Sequence, residues 1–234
     1  MTLELRKAAD RGETQIGWLD SRHCFSFGSY VDPTNTGHGL LVVSNDDRVA
    51  PATGFGTHGH ADMEIITWVL SGAVEHADTL GNQGIIRPGI AQRMTAGTGI
   101  RHSEHNPSPD VEAHFIQMWV PPDTVGLKPG YEQVDVSELL ARGGLVAIAG
   151  GSDSGAAIHI NQRNAVMYAG RLVPDESVLL PVAPFVHVFV ALGSATVTDS
   201  EMLTEGDALR LTDEESIEVT AGSDGAELII WAMF

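Results

Sequence analysis

A single cysteine, Cys24, is found among 234 residues, so no intramolecular disulfide forms, and a reducing cytoplasm is the expected setting. Basic side chains are scarce: 13 Lys+Arg stand against 31 Asp+Glu, a formal net charge of −18. No basic face is left for a phosphate backbone, which argues against direct nucleic-acid binding. The deficit is −6 over residues 1–120 and −12 over residues 121–234, which a well-solvated surface explains. Long apolar runs are missing too. No window approaches the roughly eighteen apolar residues that span a bilayer, so a membrane protein is not expected. Residues 1–7 lack the apolar stretch of a secretory signal. Helical periodicity is confined to Val134–Arg142, where Ser137 is placed to cap a short turn that Gly143 and Gly144 stop.

What remains is β. Apolar residues make up 43%, with 26 Gly and 11 Pro to punctuate them, so the chain can bury a core and needs many tight turns. Segments 39–44, 64–70 and 114–120 are β-branched or aromatic and end in turn residues, the pattern of strands. The pattern breaks at Pro121 and Pro122 and resumes at 145–149. The two halves resemble each other. A run at 65–75, a turn at Gly89 and a closing run at 113–120 are matched by 188–198, Gly206 and 226–233. The expected architecture is all-β, a duplicated barrel or jelly roll whose closure removes the sheet edges. Residues 1–125 would form the first barrel, 126–144 a linker with a short helical turn, and 145–234 the second barrel.

Most of the ten histidines fall between residues 58 and 114. Residues two apart on a strand share a face, so His58 with His60 and His102 with Glu104 form two pairs that adjacent strands would bring together. Three imidazoles and a carboxylate suit Fe, Mn, Co, Ni, Cu or Zn, whereas Ca or Mg would want mostly oxygen. A lone histidine is ordinarily structural or solvated; two matched pairs are harder to explain that way. Glu64 and Asp62 share the parity of His58 and His60, so each is an alternative ligand or a partner that holds a ligand imidazole. Counting from the matched glycines, Leu179, Pro181, Val219 and Ala221 stand where the second half would need ligands, so one metal per chain is expected.

Other residues are read more plainly. Cys24 is expected as a small buried side chain. His105 has the wrong parity for the site, and both it and His76 are placed at the surface or behind the ligands. His114 and Gln117 lie on opposite faces of one strand, and one of them lines the pocket. His159 and His187 belong to the ligand-poor half. Trp68, Trp119 and Trp231 are packing residues, with Trp119 also placed to stack on an aromatic substrate.

The segment His58-Gly59-His60 followed by Glu64 resembles the first cupin motif, and residues 95–104, Thr-Ala-Gly-Thr-Gly-Ile-Arg-His-Ser-Glu, resemble the segment that marks the pirin branch of the cupins. Residues 17–21, 25–27, 45–47 and 55–58 extend the likeness across the chain. Four residues rather than two separate Gly97 from His102, which departs from general cupins and agrees with pirins. The resemblance implies a bicupin of two tandem double-stranded β-helix barrels. It implies one metal, Fe(II) foremost, with Cu, Mn, Ni, Co and Zn as alternatives, held by His58, His60, His102 and Glu104. It further implies a quercetin 2,3-dioxygenase that opens flavonols such as quercetin with O2 and releases carbon monoxide, with Glu104 as the base that takes the flavonol 3-hydroxyl proton. The alternative is a metal-dependent redox sensor that binds a protein partner without turnover. A monomer is expected, since two fused barrels already cover one another.

Overall fold

The computed structural model describes residues 2–197, 202–213 and 217–234; Thr198, the last residue of the second repeat segment, lies outside the described residues. The first half is built from two facing antiparallel sheets. One is seven-stranded, in the order Gly130–Asp135, Ile90–Thr95, Glu64–Ser71, Ala113–Val120, Val43–Val49, Leu19–His23 and Gly12–Ile16. The other is four-stranded, in the order Gly54–His60, Ile100–His105, Val74–Asp78 and Gln83–Ile86. Alternation sorts the side chains. On Ala113–Val120, Gln117 and Trp119 face the space between the sheets, whereas Ile116 and Met118 point away into a second core. The strand expected over 39–44 begins only at Val43, because Gly39 takes a positive φ of 56° and His38 bridges back to Leu41 in a tight turn.

The second half repeats this order. Ile90–Thr95, Glu64–Ser71, Ala113–Val120 and Val43–Val49 are neighbours in the first sheet, and Ala208–Thr212, Phe185–Val197, Glu218–Met233 and Ala165–Leu172 are neighbours in the second. The edge strands are exchanged between the halves. Thr2–Arg6 pairs with Ala208–Thr212 in the second sheet, and Gly130–Asp135 pairs with Ile90–Thr95 in the first. The segment read as a linker therefore contains a strand. Its helical turn is Ser137–Leu140, and Ser137 is the first helical residue instead of the cap: its N–H donates to Asp135 Oδ1 at 2.9 Å.

The two halves pack sheet against sheet. Ile66, Trp68, Ile116 and Met118 from the first meet Ile148, Met167, Ile229 and Trp231 from the second in one buried cluster. Trp68 Nε1 donates to Glu227 Oε1 at 2.8 Å, and Arg171 Nε holds the other oxygen at 2.9 Å, so this buried carboxylate is paired. The lumen of the second half is filled: Val178, Leu180, Val219 and Ala221 belong to a continuous apolar core. Leu179, counted from sequence as the counterpart of His58, is exposed, and Val178 pairs with Val219 inside, a one-residue drift in the loop.

Candidate metal centre

The four-stranded sheet sets the site. His102 sits opposite His58 on one neighbouring strand and opposite Asp78 on the other. A bulge between His102 and Glu104 puts the extra residue on Gly54–His60, so Glu104 faces Phe55 there and His76 on the far side. Gly54 permits this approach: a Cβ there would stand 2.3 Å from the Glu104 carbonyl oxygen. His58, His60 and His102 then converge, with ring centroids 4.5 to 5.0 Å apart and one nitrogen from each within 4.8 Å of the others. Among the described residues this is the one group of histidine, cysteine and acidic side chains brought together closely enough to hold a metal ion. Glu104 stands beside it, Oε2 4.0 Å from His102 Nε2.

Hydrogen bonds decide which nitrogens are free. His58 Nδ1–H donates to the Gly56 carbonyl at 2.8 Å, so Nε2 is the ring nitrogen that this bond leaves for an ion. Behind His102 runs a relay: His102 Nδ1 lies 3.3 Å from His76 Nδ1, and His76 Nε2 lies 3.3 Å from Asp78 Oδ2. Burial pushes the Asp78 carboxyl up, yet hydrogen bonds from Asn82, His76 and Leu80 outweigh it and hold the carboxyl below its ordinary value. An ionised Asp78 can only accept, so His76 donates to it, and a His76 that carries that single proton accepts from His102 Nδ1–H. His102 Nε2 is thereby left as a lone pair. His60 Nε2 and His102 Nε2 are buried with no partner among the described residues, the condition a cation would satisfy.

Electrostatics agree with that assignment. Burial, reinforced by the neighbouring His58, lowers His60 to about 4. Burial and the charges of His58, His60 and His76 lower His102 to about 3. Both rings are neutral at pH 7 and ready to donate lone pairs. Burial raises the Glu104 carboxyl against the opposing bond from Gln117. Gln117 Nε2 donates to both Glu104 oxygens at 2.8 and 2.9 Å, and Trp119 Nε1 donates to Gln117 Oε1 at 3.1 Å, which fixes the amide's orientation.

His58 and His60 open onto a cavity of about 350 Å³ between the two sheets. Phe27, Phe55 and Trp119 line its apolar wall, with Trp119 edge-on to His60 at 4.9 Å and to Phe27 at 5.6 Å. Asp47, Asn45 and His23 form a polar wall. Burial pushes the Asp47 carboxyl up to about 7; the Ser21 hydroxyl opposes this, and the charges of Glu104 and Asp46 add to it. Among the described residues no lysine or arginine lines the cavity.

Glu64 is buried but faces the second half, its oxygens bonded to Thr95 Oγ1 at 2.9 Å and Asn161 Nδ2 at 3.1 Å. Asp62 accepts from the Gly126 N–H at 2.6 Å. Neither reaches the histidines, because the strand ends at His60 and Asp62 turns the chain at a φ of 47°, so parity does not carry across. His76 lies behind His102 and His105 is exposed. Gln117 lines the cavity; His114 points the other way and bonds Asp46 at 2.6 Å. Cys24, Trp68 and Trp231 are buried packing residues, and His159 is exposed. His187, on the second half, is fully enclosed beside Phe25. Asp78 behind His76, and Asp47 as a cavity residue, were not singled out from sequence, although His76 and Asp78 carry the same two-residue spacing as His58 with His60 and His102 with Glu104.

Two stacked jelly-roll halves, with a histidine site in the first and an apolar lumen in the second, define a bicupin. Residues 4–120 match the family described as Pirin, and residues 147–232 match the one described as Quercetinase C-terminal cupin domain. The chain belongs to the pirin family. It is 50% identical over 233 residues to "Putative quercetin 2,3-dioxygenase Rv0181c" of Mycobacterium tuberculosis, covering 99% of this chain and 95% of that one. It is 39% identical to "Quercetin 2,3-dioxygenase" of Escherichia coli K12, covering 96% of each. The crystal structure of the bacterial pirin YhhW from Escherichia coli in complex with nickel(II) superposes with a TM-score of 0.90 at 38% identity, covering 99% of each chain. No helix among the described residues is long and apolar enough to cross a membrane.

Proposed function

We propose that this protein is a metal-dependent dioxygenase acting on flavonols such as quercetin, opening the heterocycle at the 2,3 bond with O2 and releasing carbon monoxide. The observation that carries the reading is the convergence of three imidazoles, two of them with a buried nitrogen unpartnered among the described residues, at one end of an aromatic cavity. His58, His60, His102 and Glu104 would hold the ion, with Fe(II) the first choice and Cu, Mn, Ni, Co or Zn compatible with the same donors. When bound, the ion supplies Lewis acidity toward a phenolic oxygen and, if redox-capable, electrons for dioxygen chemistry. The protein's share is positioning and proton handling. Phe27, Phe55 and Trp119 offer faces and edges to a planar ring system and exclude water. Glu104, raised by burial and steadied by Gln117, takes the 3-hydroxyl proton.

The test is to follow loss of flavonol absorbance under air with metal-loaded protein, His58→Ala serving as the control. Consumption that depends on His58 is the expected result; metal-loaded protein that leaves quercetin untouched sinks the enzyme reading. Glu104→Gln is expected to retain much of the metal, since three imidazoles remain, yet to lose turnover by a factor of roughly 100 or more. Elemental analysis beside the rate assay checks this.

A further inference from the structure

The far wall of the cavity holds a carboxyl that the reading above leaves unused. Asp47 sits on Val43–Val49, opposite Ser21 on one neighbouring strand and Phe115 on the other, and its side chain lines the cavity shared by His58, His60 and Glu104. It is 3% exposed, and its Oδ1 has no hydrogen-bond partner. An unmet acceptor of this kind carries a desolvation penalty that a donor in the cavity would remove. The surrounding chemistry restricts that donor. Among the described residues the walls supply two carboxyls and no lysine or arginine, so a carboxylate or phosphate would be repelled, whereas a neutral hydroxyl or phenol would be welcomed.

We propose that Asp47 Oδ1 is a second anchor for substrate, accepting a hydrogen bond from a hydroxyl remote from the metal end, so that the cavity selects uncharged polyhydroxylated aromatic compounds. The inference rests on the cavity being a substrate site. It adds a specificity element that does not depend on the ion: one end of the substrate is fixed at the histidines, the other by a buried acceptor on the opposite sheet.

Quercetin binding to chelated, metal-free protein, read by quenching of tryptophan fluorescence, tests the anchor alone. The wild type is expected to bind, and Asp47→Val, which removes the acceptor, to bind roughly 10- to 100-fold more weakly while keeping the wild-type far-ultraviolet circular dichroism. A series of flavonols each lacking one hydroxyl supplies a probe that does not depend on the variant folding. One member should bind the wild type as weakly as quercetin binds Asp47→Val, and should lose nothing further on that substitution. A carboxylated flavone should bind the wild type at least tenfold more weakly than its neutral parent. The proposal is overturned by undiminished binding to Asp47→Val, by an equal loss for every member of the series, or by no binding to metal-free wild type. Quercetin held in an Asp47-dependent way yet not consumed under air would remove the dioxygenase reading and leave the anchor standing. Turnover with an unchanged KM in Asp47→Val would do the reverse.

Discussion

Asp78 governs a proton two rings away. Its carboxylate fixes the His76 tautomer, and His76 in turn fixes His102, so the free lone pair of a candidate ligand is set by a residue that touches no metal. Asp78→Asn can present an amide N–H to His76 and reverse the chain of donors. The expected outcome is metal affinity lower by about 10- to 100-fold with little change in melting temperature, measured by competition against a chelator. An equal loss of affinity and of fold would assign Asp78 a purely structural role. Asp47 makes a different prediction, about stability and pH. Its folded value of about 7 lies above the ordinary 3.8, so the native state keeps a proton that the unfolded chain has released. The contribution is therefore complete below pH 3.8 and is lost as pH rises through about 7, at a slope of up to about 1.4 kcal/mol per pH unit. Asp47→Asn should flatten that part of the profile, so that its stability relative to wild type climbs between pH 4 and 7 in thermal melts. A constant difference across that range would contradict the assignment.

At the level of elements, the site depends on how closely Gly54–His60 lies against Ile100–His105. Gly54→Ala would drive a Cβ into the Glu104 carbonyl, whereas Gly56→Ala meets nothing within 4 Å. The first is expected to spread the strands at Glu104 and weaken metal binding at least tenfold; the second is expected to leave it within about twofold. Titration of both variants with one metal checks the contrast. Strand pairs were legible from sequence for a physical reason: alternation is a local rule, and His58 with His60, and His102 with Glu104, obey it inside single strands. Glu64 was misplaced because alternation ends where a strand ends, and the turn at Asp62 intervened. Asp47 was hidden by its neighbour. Asp46 and Asp47 read alike in sequence, yet one bonds Arg11 and His114 at the interface of the halves and the other faces the cavity.

At the level of the whole molecule, duplication was visible in the repeated glycine turns and closing strands, while the exchange of edge strands was not. No local pattern tells Gly130–Asp135 or Thr2–Arg6 which sheet to join, since an edge strand pairs wherever hydrogen-bonding groups are unmet. Removing Thr2–Arg6 would uncover Ala208–Thr212 and strip Leu5 from the second core. The expected result is a protein that unfolds at lower urea in a single transition, with the metal site lost in that same transition, because both halves share the cluster around Trp68 and Trp231. Two separated transitions, with metal retained after the first, would show the halves to be independent.

The exchanged strands bear on the metal end directly. Tyr131, carried on Gly130–Asp135, stacks on His76 at 4.6 Å, so the segment leading into the second barrel also backs the proton chain of the first. A genetic cut placed before residue 130 would hand each fragment a strand belonging to the other. Such fragments should recover metal binding only when co-expressed, as complementing pieces of one tied knot of sheets.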